Sequence, residues 1–392
     1  ILIMEANWKE AGRARHERFV LRMAPIISQV FETHDLKLQY QLMEVMNKEG
    51  IPAPSLVGYE PDSSLLGSDF YVMDFVDGIV PPDNPPMAFG SWVSELTTEE
   101  RATMWHNGLT TMAKIHQIDI RQYDLPSLEE SPADQSPLAH EIARYEGMMK
   151  QGMREKADPI ILEAWQYLKD NLPADGPRRL VWGDSRPGNV IWKDLQPIAM
   201  IDWEIACIGD PLCDLTWWFW IDHCNSVGLG AEKMTGIPDY NDAYQEWHKL
   251  TGLPINNAAY FELFTIVRFA IIMERKLVHM LDLDPAVATH ESHPVQFIQP
   301  LMDICKQTYK WFSSDTRRLI ITRLVFFVSP LHESSSFYDE AINLIDLNEY
   351  DGAIKSIKRN IYSLESQDEI ALAYLNCAFL NDKLGDNLSA ID

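Results

Sequence analysis

"LVWGDSRPGNVIWKDLQPIAMIDWE", Leu180 to Glu204, sets Asp184, Asn189 and Asp202 inside an otherwise apolar, Trp-rich run. A buried carboxylate without a partner is costly. Several such groups converging on one place usually hold a cation or move a proton. The flanking words read as short strands: "RRLVW" before the polar loop, then "NVIWKDLQPIAMID" as two strands about the turn "KDLQ". The polar residues therefore sit on loops at strand ends, where side chains can meet.

Working outward, the residues before this stretch divide into a strand-rich part and a helical part. "ILIMEANW" and "ERFVLRM" read as a hairpin about the polar segment "KEAGRAR". "HDLKLQYQLMEVMNKEG" is helical, with Leu38, Leu42, Val45 and Met46 on one face and Gly50 ending it. "IPAPSLVGYE" leads to a strand, and "DFYVMDFVDG" is a further strand leaving at Gly78. Helices then dominate. Thr97 and Glu100 form a capping box, and "PIILEAWQYLKDNL" opens with Pro159 at its first turn. After the central stretch, "PLCDLTWWFWID", "YNDAYQEWHKLTG", "YFELFTIVRFAIIMERKLVHM" and "HPVQFIQPLMDICKQTYKWF" are all expected to be helices.

The bulk numbers exclude some functions. The net charge of -25 opposes nucleic acid, whose phosphates need a basic face, and opposes anionic membranes. No apolar run reaches the length of a membrane span: "LIITRLVFFV" is the most apolar stretch, and it is short and broken by Arg323. No signal peptide is visible at the start. The five cysteines are odd in number and form no CxxC pair, so a reduced, cytoplasmic setting is expected.

The chain also has a seam. All 16 Met and all 12 Trp precede residue 314, and of 23 Pro only Pro330 lies beyond it. Within 314–392 a pattern recurs 37 residues apart: Phe337, Ala341, Leu347, Ala353 and Ile354 return as Tyr374, Ala378, Leu384, Ala390 and Ile391. This resembles a tetratricopeptide repeat, a helix–turn–helix unit that offers a surface to a protein or peptide partner. The expected domains are 1–78, 79–313 and 314–392, and the abrupt opening on a strand pattern marks the first as incomplete.

Asp184 and Asn189 stand five apart, and Asn189 and Asp202 thirteen apart. With "WGDSRPGN", "MIDWE" and "GDPLCDL" in that order, residues 1–313 resemble the aminoglycoside phosphotransferase family. They look most like the phosphotransferases related to the kinase portion of acyl-CoA dehydrogenase fusion proteins. The resemblance implies an α+β, two-lobed protein-kinase-like fold, here with a tetratricopeptide-like helical tail. It also implies ATP and Mg²⁺ as cofactors and a small-molecule hydroxyl as substrate. In that frame Asp184 orients the hydroxyl and accepts its proton, while Asn189 and Asp202 bind metal. Arg22 pairs with the α/β-phosphates, and the backbone of Asp74, Phe75 and Val76 meets adenine. Asp214 braces the catalytic loop. Gln39, where such enzymes carry an acid, orients Arg22 without neutralising it, unless Glu44 substitutes. Arg186 and Glu204 either touch phosphate or substrate or form local salt bridges.

Two departures stand out. Trp182 replaces the His that usually stands two before the catalytic Asp, which implies altered packing. GxGxxG occurs nowhere in the chain. The acceptor is expected between Asp184 and the segments around Trp217, Trp218, Trp220, His223 and Arg268. It is either a hydroxyacyl thioester, which suits the aromatic residues, or an aminoglycoside-like amine, which suits the acidic charge. A different class of function is a non-catalytic kinase-like scaffold with a protein-binding tail.

Overall fold

The computed structural model describes residues 1–283, apart from 11–12, 25–34, 84–85, 129–131, 133–134, 153–158, 175, 225 and 227–230. Beyond 283 it describes only Gly352, Lys355 and Ser356. The expected helix from His293 to Phe312 and the expected repeat in 314–392 lie outside the described residues. The chain divides into two compact units: Ile1–Glu155 with Trp165–His279, and Lys156–Ala164 with Met280–Asp392.

Its leading part is a four-stranded antiparallel sheet in the order β1-β2-β4-β3, formed by β1 (Leu2–Glu10), β2 (Arg13–Met23), β3 (Leu56–Glu60) and β4 (Phe70–Asp74). The β1–β2 pairing runs from Leu2↔Leu21 to Glu10↔Arg13, so most of "KEAGRAR" belongs to the ladder. Polar residues persist as strand there because that end of the ribbon is exposed and its side chains pair across it. His16 Nδ1 lies 2.8 Å from Asn7 Oδ1, and Trp8 packs 6.3 Å from Phe19. Helix α1 (Leu36–Lys48) is capped by Asp35, whose carboxylate accepts from Leu38 N at 2.7 Å. It packs on β3 and β4 through its apolar face.

Helices follow: α2 (Trp92–Glu95), α3 (Thr98–Ile115), α4 (Pro137–Gly152) and α5 (Pro159–Asp170). The Thr97–Glu100 capping box opens α3 in both directions. Short strands β5 (Arg179–Val181) and β8 (Cys207–Gly209) pair, as do β6 (Val190–Lys193) and β7 (Gln196–Met200). Asp194 and Leu195, both at positive φ (50° and 61°), make the β6–β7 turn. The chain continues with α6 (Leu212–Cys224), α7 (Tyr240–Thr251), ended by Gly252 in the left-handed region, and α8 (Ala258–Leu283). Trp182, Trp192, Trp203, Trp218 and Trp247 are among its largest fully buried side chains. Burying a large apolar side chain is worth about 1.5–3 kcal/mol, so this indole-rich core gives the loops between the short strands a rigid support.

The strand part leaves at Gly78 and is tied at once to the hairpin, since Ile79 and Trp192 exchange backbone hydrogen bonds at 2.9 and 2.8 Å. A Cβ at Gly78 would lie 2.6 Å from Ile191 Cγ2 and 2.7 Å from the Trp192 carbonyl, so only glycine lets the two backbones approach.

Candidate active site

The β6–β7 hairpin explains the thirteen-residue spacing. Its register sets Val190 opposite Met200, and Ile201 N donates to Asn189 O at 3.0 Å. Asn189 and Asp202 thus come off the same open end of one ladder. Asp202 has φ 63°, a left-handed conformation costly for a side-chain-bearing residue and most tolerable for Asp or Asn. Trp182 fixes that conformation: its indole N–H faces the carbonyls of Ile201 (3.0 Å) and Asp202 (3.2 Å), and its ring lies 5.7 Å from Trp203. Trp182 therefore holds the backbone at Asp202 through a side-chain donor.

Asp184 sits on the loop after β5. Gly183, before it, has φ 94°, and a Cβ there would lie 2.5 Å from the Ile205 carbonyl. The loop is braced by Asp214 at the start of α6, a fully buried carboxylate that accepts from Trp182 N (2.6 Å), Gly183 N (2.7 Å) and His116 Nε2 (3.0 Å). Ser185 Oγ donates to the Asp214 carbonyl at 2.7 Å. The tautomer of His116 follows from its other side: Trp247 Nε1, which can only donate, lies 3.0 Å from His116 Nδ1. Nδ1 therefore accepts, and Nε2–H donates to Asp214. His116 is neutral and fully buried, an orienting group for the brace. In sequence it is only the last residue of an apolar helix face, with no signal of this role.

Around the Asp184 carboxylate, Asn189 Nδ2 donates to Oδ2 at 2.7 Å and to the Asp184 carbonyl at 2.9 Å. Both amide hydrogens are thus used, and the Asn189 side-chain oxygen is left as an acceptor. Arg186 Nε reaches Oδ2 at 3.3 Å, and its fork grips Asp83 at 2.5 and 3.2 Å. Asp83, in the loop after the strand part, is a partner to which no sequence pattern points. Trp217 Nε1 donates to Asp184 Oδ1 at 2.7 Å. The neighbouring charges hold the Arg186 guanidinium's pKa up against burial.

Arg22, on β2, lies 3.5 Å from Glu204 Oε2 and 3.9 Å from Asp202 Oδ1. Gln39 is buried and faces Tyr71, whose hydroxyl lies 3.5 Å from its Oε1; its amide nitrogen has no partner. The counter-charge to Arg22 is therefore Glu204, two residues past Asp202. Burial first, then the charges of Asp202 and Asp184, push Glu204 up to about 7, with Arg22 pulling the other way. Asp202 is raised for the same reasons, burial and Asp184, against Arg22 and Arg186. Asp202 Oδ1 is buried without a hydrogen-bond partner.

The segment Asp74–Val76 continues from the end of β4, where Asp74 stands opposite Phe19. Phe75 N donates to Arg18 O at 3.0 Å, and the Arg18 guanidinium lies 3.5 Å over the Phe75 ring. Of the residues expected near the acceptor, Trp217 and Arg268 meet the Asp184 loop. Trp218 packs on Trp105, and Trp220 and His223 pack on Tyr240. Among the described residues no three His, Cys, Asp or Glu side chains gather as a metal cage. The available donor set is one amide oxygen and one unpartnered carboxylate oxygen. That suits a hard cation such as Mg²⁺, which keeps much of its own water and takes its other ligands from phosphate.

Residues 8–253 match the model of the phosphotransferase enzyme family. Acyl-CoA dehydrogenase family member 11 of Homo sapiens is 25% identical over 234 residues, 58% of this chain and 29% of the relative. The Gallus gallus protein of that name is 26% identical over 222 residues, 55% of this chain and 27% of its own. The match thus spans less than a third of those relatives' length. A solved Ralstonia eutropha structure, assigned to the aminoglycoside phosphotransferases, aligns with a TM-score of 0.60 at 17% identity, covering 79% of this chain and 92% of its own. At that identity the likeness is one of fold: two lobes, protein-kinase-like.

Proposed function

The chain belongs to the phosphotransferase enzyme family, and on that premise we propose that it transfers the γ-phosphoryl group of ATP, with Mg²⁺, to a hydroxyl of a small molecule. One observation carries the proposal: the buried, unpartnered Asp202 Oδ1, set by the hairpin beside Asn189 and close enough to Arg22 for a 3.9 Å pair. A carboxylate oxygen so placed has no hydrogen-bond donor, and Arg22 stands at the outer limit of an ion pair, so a bound cation would supply the close partner it lacks. Phosphoryl transfer asks a protein chiefly for position and charge neutralisation. Asn189 and Asp202 would hold the metal, which neutralises charge on the phosphates. Arg22, released by Glu204, would fork onto them. Arg186 lies beside Asp184, placed to meet the transferring group once Asp83 yields. Asp184 would orient the acceptor hydroxyl and take its proton, and the backbone of Asp74–Val76 would meet the base of the nucleotide.

For the acceptor, the aromatic wall beside Asp184 and the acyl-CoA dehydrogenase name of the relatives favour a hydroxyl on an acyl compound over one on an amine. Isothermal calorimetry with Mg·ATP tests the metal and nucleotide assignment. Asp202→Ala should lower the affinity at least about tenfold, the loss of roughly 1.4 kcal/mol of binding. Unchanged affinity would remove Asp202 from the nucleotide site.

A further inference from the structure

Asp184 has donors on both oxygens before any substrate arrives. Oδ2 accepts from Asn189 Nδ2 at 2.7 Å and Arg186 Nε at 3.3 Å, and Oδ1 accepts from Trp217 Nε1 at 2.7 Å. A carboxylate has about four lone-pair sites, two on each oxygen. Those on Oδ2 are taken, and one remains on Oδ1. An acceptor hydroxyl that hands its proton to Asp184 must approach along that direction, beside the indole of Trp217.

The indole is itself fixed. Trp217 is 3% exposed; the Arg268 guanidinium lies 4.1 Å over its ring, and Phe269 meets it edge-on at 6.1 Å. Arg268 is 2% exposed and donates through Nη2 to the Gly183 carbonyl at 2.9 Å. One buried cation therefore clamps both the indole and the backbone residue before Asp184. The Trp217 bond is also no mere default for a buried indole, because Trp105, Trp165, Trp218 and Trp220 each bury an indole nitrogen with no partner.

We propose that Trp217, seated by Arg268, is a positioning residue: its N–H locks the Asp184 carboxylate so that Oδ1 alone receives the acceptor's proton. This rests on the reading of Asp184 as the base. In the step it serves, the acceptor O–H bond breaks and an O–H bond forms on Oδ1. The acceptor oxygen bonds the γ-phosphorus as the bond to the bridging oxygen breaks, and that electron pair leaves with ADP.

The test uses the full chain labelled at indole nitrogen, with Mg·ATP as substrate and water standing in for the acceptor. The Trp217 resonance, identified by its loss in Trp217→Phe, should move upfield in Asp184→Ala. Trp217→Phe, which keeps an apolar ring, should lower kcat for ATP hydrolysis about tenfold, the scale of one hydrogen bond to a charged group, with KM for ATP unchanged. Arg268→Met should do the same, and the double variant no more. A resonance indifferent to Asp184 overturns the inference whatever the turnover, as does a Trp217→Phe kcat within twofold of the parent. If the parent hydrolyses no ATP while the resonance still responds to Asp184, the contact stands and the phosphotransferase reading falls, taking the proposed role of Trp217 with it.

Discussion

Asp184, Asn189 and Asp202 could be found from residue type and spacing because each is polar in an apolar setting, and the unfavourable burial is itself the signal. If Asp184 is the base, Asp184→Asn should lower phosphoryl transfer by roughly 10²–10⁴-fold, the usual worth of a positioned base. Affinity for Mg·ATP should hold. Turnover within threefold of the parent, measured by coupled ADP release, would sink the assignment. The residues that complete the site were less legible. Asp83 and Glu204 act as counter-ions to Arg186 and Arg22 across sequence separations of 103 and 182 residues. No local pattern encodes such a pairing. Gln39, expected to orient Arg22 with Glu44 as the substitute acid, faces Tyr71, and the acid beside Arg22 is Glu204.

The elements followed local rules where those rules are strong. The capping box, the Gly50 stop and Pro159 at a first turn all lie within a residue or two of where the sequence set them. Helix α4 has a polar, Met-rich pattern that did not declare itself, and β8 is three residues whose strand character comes only from β5 beside it. Helix α6 is buried nearly all round, which explains why its sequence shows length and hydrophobicity but little face. Its cost is a carboxyl at the far end. Asp222 is buried, with Oδ1 unpartnered, and burial pushes it up to about 7 from an ordinary 3.8, with Lys233 pulling back. The folded chain thus holds this proton more tightly than the unfolded chain. The contribution is fully present below pH 3.8 and is lost as pH rises through about 7. Asp222→Asn should therefore raise the thermal midpoint at pH 8 by at least about 3 °C, on the scale of ~1 kcal/mol in a domain this size, with a smaller gain at pH 5 and none below pH 3.8. A variant with no gain at pH 8 would show that Asp222 is ionised there without penalty.

At the scale of the molecule, a small strand part, a helical part and the order of the motifs sufficed to reveal the kinase-like fold, because those features are local and ordered along the chain. The tail rests on composition and repetition alone. We propose that residues 314–392 are separable from the body. The absence of Met and Trp after residue 313 and the confinement of the 37-residue pattern to the tail both set the seam there, and the family match ends earlier, at residue 253. The division into compact units falls at Met280, so a chain ending at residue 313 keeps the first unit whole together with the leading part of the second. All 12 Trp lie in residues 1–313, so indole fluorescence reports only on what precedes the seam. A chain of residues 1–313 should therefore melt with the same fluorescence transition as the full chain. A midpoint lower by more than about 2–4 °C corresponds to ~1 kcal/mol or more of lost stability in a domain of this size. That result would make the tail part of the body's own folding unit, and the seam a change of composition only.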